Sequence, residues 1–123
     1  LRGLYTLATV DDVAQLNDAQ GLTGNESIGE RLTGWYLEAG YDVLRSIRTD
    51  HQVITYVRYE RINTQDQVPL GFTANPATDA TITTVGAMWK PITNVAVKAD
   101  YQFRRNAART GVDQLNLSLG FLF

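Results

Sequence analysis

The sequence has 123 residues, a formal net charge of −2 and no cysteine. This length corresponds to one domain, and the slightly acidic balance argues against a general electrostatic interaction with nucleic acid. The lack of cysteine excludes a disulfide framework, a thiolate metal cluster and a thiol nucleophile. No apolar run reaches the roughly 18 residues of a transmembrane helix, but membrane β-strands alternate in polarity and escape such a search.

The opening segment, "LRGLYTL", has the composition of a strand. It begins at Leu1 without an initiator methionine, a charged leader or a signal-type apolar run. We therefore expect the beginning of the protein to be missing from this sequence, together with any signal peptide.

The long segment after this strand contains a pattern typical of a short helix. Thr9 or Asp11 is the predicted N-cap, and Val13 and Leu16 follow at helical spacing. Gly21 is expected to end the helix.

Five further segments alternate apolar and polar residues with period two, as β-strands do. In "GWYLEAGYDV", Trp35, Leu37 and Ala39 share one face, whereas Glu38 lies on the other. The same alternation occurs in residues 52–62, 80–90, 94–105 and 115–123. The pattern predicts an all-β, antiparallel, up-and-down meander of about six strands.

The connectors between these segments differ in length. Residues 44–51 and 90–94 form short connectors, whereas residues 8–30, 63–79 and 104–112 form long ones. Short turns on one side and long loops on the other are typical of bacterial outer-membrane barrels.

The apolar face of the predicted sheet is aliphatic in its middle and aromatic towards the strand ends. Two aromatic girdles around an apolar band describe a membrane barrel. The alternative is that aromatic residues simply favour strands. The predicted girdle residues are Trp35, Tyr41, Tyr59, Trp89, Tyr101 and Phe103.

The opposite face carries charges of both signs, which suits a hydrated channel wall. The candidate solute-contacting cations are Arg58, Lys98 and Arg104, and their predicted counter-charges are Glu38, Glu60 and Asp100. A turn centred near Arg48 would place Glu38 opposite Arg58 as an ion pair.

Lys98 is predicted to lie opposite Gly86 and near Gly120, where it has room to project into a channel. The alternative hypothesis is that Lys98 lies against the wall beside Asp100. In either arrangement it is a candidate contact for a passing solute.

No pattern of residues indicates an enzyme. His51 is the single histidine and lies in a predicted turn, and Ser27, Ser46 and Ser118 have no partner histidine on a strand. We predict no catalytic residue, no metal site and no cofactor.

Four stretches resemble the C-terminal part of bacterial phosphate-selective porins of the O and P type. They are "GWYLEAGYDVL", "YVRYERINTQ", "TVGAMWKPITNVAVKADYQFRR" and "LNLSLGFLF". The resemblance implies a large outer-membrane barrel, commonly trimeric, through which small solutes, anions among them, diffuse. It also implies that Leu119, Phe121 and Phe123 form a signal for the outer-membrane assembly machinery. Phosphate selectivity does not follow, because the sequence lacks an arginine ladder or a lysine cluster.

Six strands are too few for a membrane barrel, which needs at least about eight. The sequence therefore predicts a single unit, residues 1–123, that forms the terminal sector of a larger transmembrane β-barrel. Two alternatives stay open: a soluble antiparallel β-domain that binds a ligand or partner, and an outer-membrane adhesin or structural barrel.

Overall fold

The computed structural model describes residues 1–122 and contains one sheet of six antiparallel strands. The strands are arranged in the order of the sequence, so each strand pairs with its neighbours in the chain. Their bounds are β1 Arg2–Thr9, β2 Arg31–Asp42, β3 Gln52–Gln67, β4 Asp79–Ile92, β5 Val95–Asn106 and β6 Gln114–Phe121. This confirms the predicted all-β meander. Within the described residues the sheet is open, with β1 and β6 at its edges.

The connectors differ in part from the prediction. β3 continues to Gln67, well beyond the predicted end at Ile62, and β5 continues to Asn106. The connector 107–113 is therefore shorter than the connector 43–51, which had been predicted to be one of the short ones. The contrast between long and short connectors holds only for residues 10–30 and 68–78, the latter containing a 3-10 turn at Pro76–Thr78.

The predicted helix is present as α1, Val13–Ala19, and Gly21 follows it with a φ of 66°. The predicted N-cap was wrong. Thr9 cannot cap the helix because it belongs to β1 and pairs with Arg31, and the N-cap is Asp12 at a φ of 55°.

The first long connector is folded against the end of the sheet. Asn17 of α1 is fully buried, and its Oδ1 accepts a hydrogen bond from the backbone N–H of Ile28 at 2.9 Å. Gln65 of β3 donates to the carbonyl of Ser27 and accepts from the backbone N–H of Asn75. The connectors 10–30 and 68–78 are therefore tied to each other through β3.

The two faces of the sheet have opposite character. The apolar face is defined by residues such as Leu37, Val57, Val85, Val97 and Leu117, which alternate with the residues of the other face. The polar face is defined by Glu38, Tyr56, Arg58, Glu60, Lys98, Asp100, Arg104 and Asn116.

Burial across the sheet is the reverse of that in a soluble domain. Leu37, Val57 and Leu117 on the apolar face are 52%, 46% and 76% exposed. On the polar face, Asp100 is only 5% exposed. Among residues 1–122 the buried hydrophobic side chains are Val13 and Ile82 alone, so the described chain has no apolar core of its own.

Candidate functional site on the polar face

A row of four residues crosses the middle of the polar face. Tyr56 on β3 pairs with Gly86 on β4, which pairs with Asp100 on β5, which in turn pairs with Asn116 on β6. Their common register brings the side chains of three strands together around one carboxylate.

Asp100 is the centre of this cluster. Its Oδ2 accepts a hydrogen bond from Tyr56 Oη at 3.1 Å and lies 3.0 Å from Lys98 Nζ. Its Oδ1 accepts from Asn116 Nδ2 at 2.8 Å. Lys98 Nζ also lies 5.1 Å from the centre of the Tyr56 ring. The lysine is therefore charge-paired and held against the wall.

Gly86 makes this arrangement possible. A Cβ atom at position 86 would lie 2.6 Å from Tyr56 Oη and 2.7 Å from the Cβ of Asp100. Only a residue without a side chain lets the Tyr56 ring cross β4 and reach a carboxylate two strands away.

The structure corrects the predicted position of Lys98. It pairs with Met88 rather than Gly86, and with Ser118 rather than Gly120. The tight turn lies at residues 93–94, further along the chain than the middle of "KPITN", and the register shifts between Trp89 and Ile92. The structure instead supports the alternative, a lysine beside Asp100.

Arg58 is the centre of a second cluster. The predicted register is confirmed, since Glu38 lies opposite Arg58. The ion pair, however, joins Arg58 Nη2 to Glu60 Oε1 at 2.9 Å on the same strand, and the guanidinium lies 3.9 Å from the centre of the Tyr36 ring. Glu38 Oε1 lies 3.9 Å from Arg2 Nε. Stacking on Tyr36 directs Arg58 along its own strand, so the predicted Glu38–Arg58 ion pair was wrong.

Arg104 has a different environment. It lies opposite Ile82 on β4, and its Nη1 donates a hydrogen bond to Gln114 Oε1 at 3.3 Å. Among residues 1–122 no carboxylate lies within ion-pair distance of its guanidinium. Of the three predicted solute-contacting cations, Arg104 is therefore the one whose charge is not locally balanced.

An open groove of about 670 Å³ runs along β5 and β6 and joins Lys98 to Arg104. Its other polar lining residues are Asp100, Gln102, Gln114, Asn116 and Ser118. Amides, a hydroxyl and charges of both signs can exchange hydrogen bonds with a hydrated solute.

The predicted girdle residues all lie on the apolar face. Trp35 and Tyr59 are in contact at the long-connector end, with ring centres 5.4 Å apart, and Phe103 lies in the same row as Tyr59. Tyr41 and Trp89 lie towards the short-turn end. Tyr101 lies one row closer to the middle of the sheet, opposite Val85 and Leu115. The centres of its ring and the Phe103 ring are 4.9 Å apart.

Two of the three predicted assembly-signal residues are described by the structure. Leu119 pairs with Val97 and Phe121 with Val95, and both are exposed on the apolar face. Phe123 lies outside the described residues.

Neither a metal centre nor a spanning helix is found in the described part of the chain. No group of three or more metal-ligating side chains converges there. Its helices are too short or too polar to cross a membrane.

Sequence reasoning missed the roles of Tyr56, Asn116 and Tyr36, and it assigned the space at Gly86 to Lys98 instead of Tyr56. Alternation within residues 52–62 places Tyr56 on the same face as Arg58 but gives it no role. The available signal was a large ring on a polar face with a glycine in each neighbouring strand, Gly40 on one side and Gly86 on the other. Their alignment depended on the exact strand register.

The chain is similar to a known bacterial protein. An uncharacterized protein of Aquifex aeolicus is 33% identical over 106 residues, which is 82% of this chain and 24% of the relative. The chain therefore spans about a quarter of the length of that protein. No family model matches the sequence, and no solved structure matches it.

Proposed function

We propose that this chain is part of the wall of a porin-like β-barrel in the bacterial outer membrane, through which small hydrophilic solutes diffuse passively. The observation that carries the proposal is the reversed burial of the sheet. Its apolar face is exposed across all six strands, whereas Asp100 and its partners are shielded on the polar face. Such an arrangement suits lipid outside and water inside.

The dimensions of the sheet support this reading. Crossing a bilayer takes about 9–11 residues of a tilted strand. β2, β3, β4 and β5 have 12, 16, 14 and 12 residues, enough to cross and extend beyond. On the apolar face, the row of Tyr59, Thr83 and Phe103 is followed by Arg61, Thr81 and Arg105. The apolar band thus ends at charged residues.

The open edges of β1 and β6 point to further strands. In lipid, each unpaired backbone group at an edge costs several kcal/mol, so a membrane sheet must close on itself. A relative about four times as long as the matched segment is consistent with a chain that supplies those strands. From the resemblance to the phosphate-selective porins we also propose that the protein forms a homotrimer. Its other proposed partners are membrane lipid and the outer-membrane assembly machinery.

The test uses the full-length protein in two steps. Outer-membrane fractionation and a heat-dependent shift in a detergent gel examine whether it is a membrane barrel, and planar-bilayer conductance examines whether it is a channel. We expect a positive result in both. Recovery in a soluble fraction would favour the soluble β-domain, and a membrane barrel without conductance would favour the adhesin or structural barrel.

A further inference from the structure

Two arginines flank a threonine where the apolar face ends, at the long-connector end of the sheet. Arg61 on β3 pairs with Thr81 on β4, which pairs with Arg105 on β5. Their row follows directly after the row that contains Tyr59 and Phe103. The side chains of Arg61 and Arg105 are 54% and 65% exposed. They form a pair of cations immediately beyond the aromatic end of the apolar band, which we call the arginine pair.

A surface cavity of about 280 Å³ lies between the two arginines. Its lining residues are Tyr59, Arg61, Asp79, Thr81, Arg105, Asn106 and Ala107. It therefore combines two guanidinium groups and one carboxylate with a hydroxyl, an amide and one aromatic ring. A second cavity of about 250 Å³ lies on the other side of Arg61, against Tyr5 and Trp35.

The arginines keep hydrogen-bond donors beyond those used in their ion pairs. Arg61 donates from Nε and Nη2 to the carboxylate of Asp79, at 3.2 and 2.9 Å. Arg105 uses Nη1 for both Asp113 and the carbonyl of Arg104. A guanidinium has five N–H donors, so each arginine can bind a further oxyanion. Exposed ion pairs of this kind are weak enough to be exchanged for a stronger anion.

Among the described residues, the opposite end of the apolar face has no equivalent. Its last rows are Trp89 with Val97 and Leu119, and then Val95 with Phe121. The cations at this end lie elsewhere: Lys90 is on β4 but in the register of the polar face, opposite Gln52, and Arg45 and Arg48 lie in the connector 43–51. A cationic border at only one end indicates an interaction confined to one leaflet of a membrane.

We propose that the arginine pair binds the phosphate of a membrane lipid headgroup, while Tyr59 and Phe103 contact the acyl chains below it. This inference rests on the proposed membrane location. Arginine is suited to phosphate because its planar N–H groups form paired, charge-assisted hydrogen bonds. Aromatic rings at the level of the headgroups then place a bound phosphate beside the guanidinium groups. The long connectors lie at this end of the sheet, so the lipid belongs to the external leaflet if the barrel has the usual orientation.

The experiment compares lipid binding by native mass spectrometry on the full-length protein released from detergent micelles. The probes are lipid A with two phosphates and the same lipid after removal of both phosphates. The test variant is R61Q/R105Q, and the matched control is R45Q/R48Q, which removes the same charge at the other end of the sheet.

We expect the wild type and the control to prefer the phosphorylated lipid, and R61Q/R105Q to bind it about tenfold more weakly because the charge-assisted hydrogen bonds are lost. Equal binding by wild type and R61Q/R105Q would overturn the proposal. Displacement of the lipid by millimolar inorganic phosphate would also overturn it, because the site would then recognise free phosphate.

Failure of this inference can be told from failure of the proposed function. A protein that fractionates with the outer membrane but shows no difference between the variants loses only the lipid site. A protein that is recovered in the soluble fraction loses the membrane location on which the site depends.

Discussion

The two faces of the sheet use the same strands but different means of stabilisation. Polar side chains on one face are joined by hydrogen bonds and ion pairs that cross from β3 to β6 through Asp100. On the other face, Leu115, Leu117 and Leu119 expose between 66% and 76% of their surface and make no such links. The polar face forms these contacts within the described residues, whereas the apolar side chains of the other face are left exposed. The comparison explains how a chain of near-neutral mean hydropathy can suit a membrane.

The largest effect is expected from placing a charge on the apolar face. Leu117→Arg would expose a guanidinium to lipid near the middle of the band and cost about 2–4 kcal/mol of unfolding free energy. The matched change on the polar face, Gln102→Arg, faces water and should stay within about 0.5 kcal/mol of the wild type. Guanidinium chloride unfolding in phosphatidylcholine vesicles measures both. Equal costs would contradict the assignment of the faces.

The second effect tests the tight packing on the polar face. Gly86→Ala places a Cβ against Tyr56 and Asp100, and the displacement should cost about 1–3 kcal/mol. Gly120→Ala is the control, because the Cβ of the new alanine would only reach the Ala96 carbonyl oxygen, at 4.0 Å. The same unfolding measurement applies. A Gly86 variant as stable as the Gly120 variant would show that Tyr56 does not depend on this space.

The third effect concerns the charge of the polar face. Arg104→Gln removes a cation without a nearby counter-charge. At about 10 Å in water one charge changes the energy of a passing ion by roughly 0.4 kcal/mol, with opposite sign for anions and cations, so the anion-to-cation permeability ratio should fall about fourfold. The double variant Lys98→Met/Asp100→Asn removes a neutral pair and should leave the ratio unchanged. Reversal potentials in planar bilayers measure both. If the permeability ratio changed more in the double variant than in Arg104→Gln, the charges of Lys98 and Asp100 would not balance each other as the structure indicates.

The smallest effect concerns Asp113, which lies outside both faces in the connector after β5. The Arg105 guanidinium, which donates to the carboxylate of Asp113, holds the pKa of Asp113 below its ordinary value. A lowered folded-state pKa stabilises the protein above the ordinary pKa of the carboxyl, and this contribution is lost as the pH falls through the lowered value.

Arg105→Gln should therefore raise the pKa of Asp113 towards its ordinary value. NMR titration of the Asp113 carboxyl measures the change, and Arg48→Gln serves as a control at the other end of the sheet. An unchanged pKa in the Arg105 variant would show that this ion pair does not persist in solution.

Much of the fold could be predicted from the sequence because alternation with period two is a local signal. It placed Arg58, Lys98 and Arg104 together on one face and the six aromatic residues on the other, and the structure agrees. The turn near Arg48 was also predicted correctly, which fixed Glu38 opposite Arg58.

The contacts within the polar face were not predictable to the same degree. A shift of two residues at the turn after β4 moved the partner of Lys98 from Gly86 to Met88. Side-chain direction also depends on neighbours, as when Tyr36 turns Arg58 towards Glu60. The Tyr56–Asp100 hydrogen bond joins strands that are not adjacent. Such contacts follow from the assembled sheet and have no counterpart in local composition.

The most direct test of the central claim is the solvent around adjacent residues of β6. The sequence contains no cysteine, so Leu117→Cys, Ser118→Cys and Leu119→Cys each introduce a single spin-label site in this segment. In the full-length protein in vesicles, paramagnetic resonance then compares collisions with oxygen, which concentrates in lipid, and with a water-soluble nickel chelate. We predict high oxygen collision rates at 117 and 119 and high nickel collision rates at 118. High nickel collision rates at all three positions would contradict a lipid-facing apolar surface.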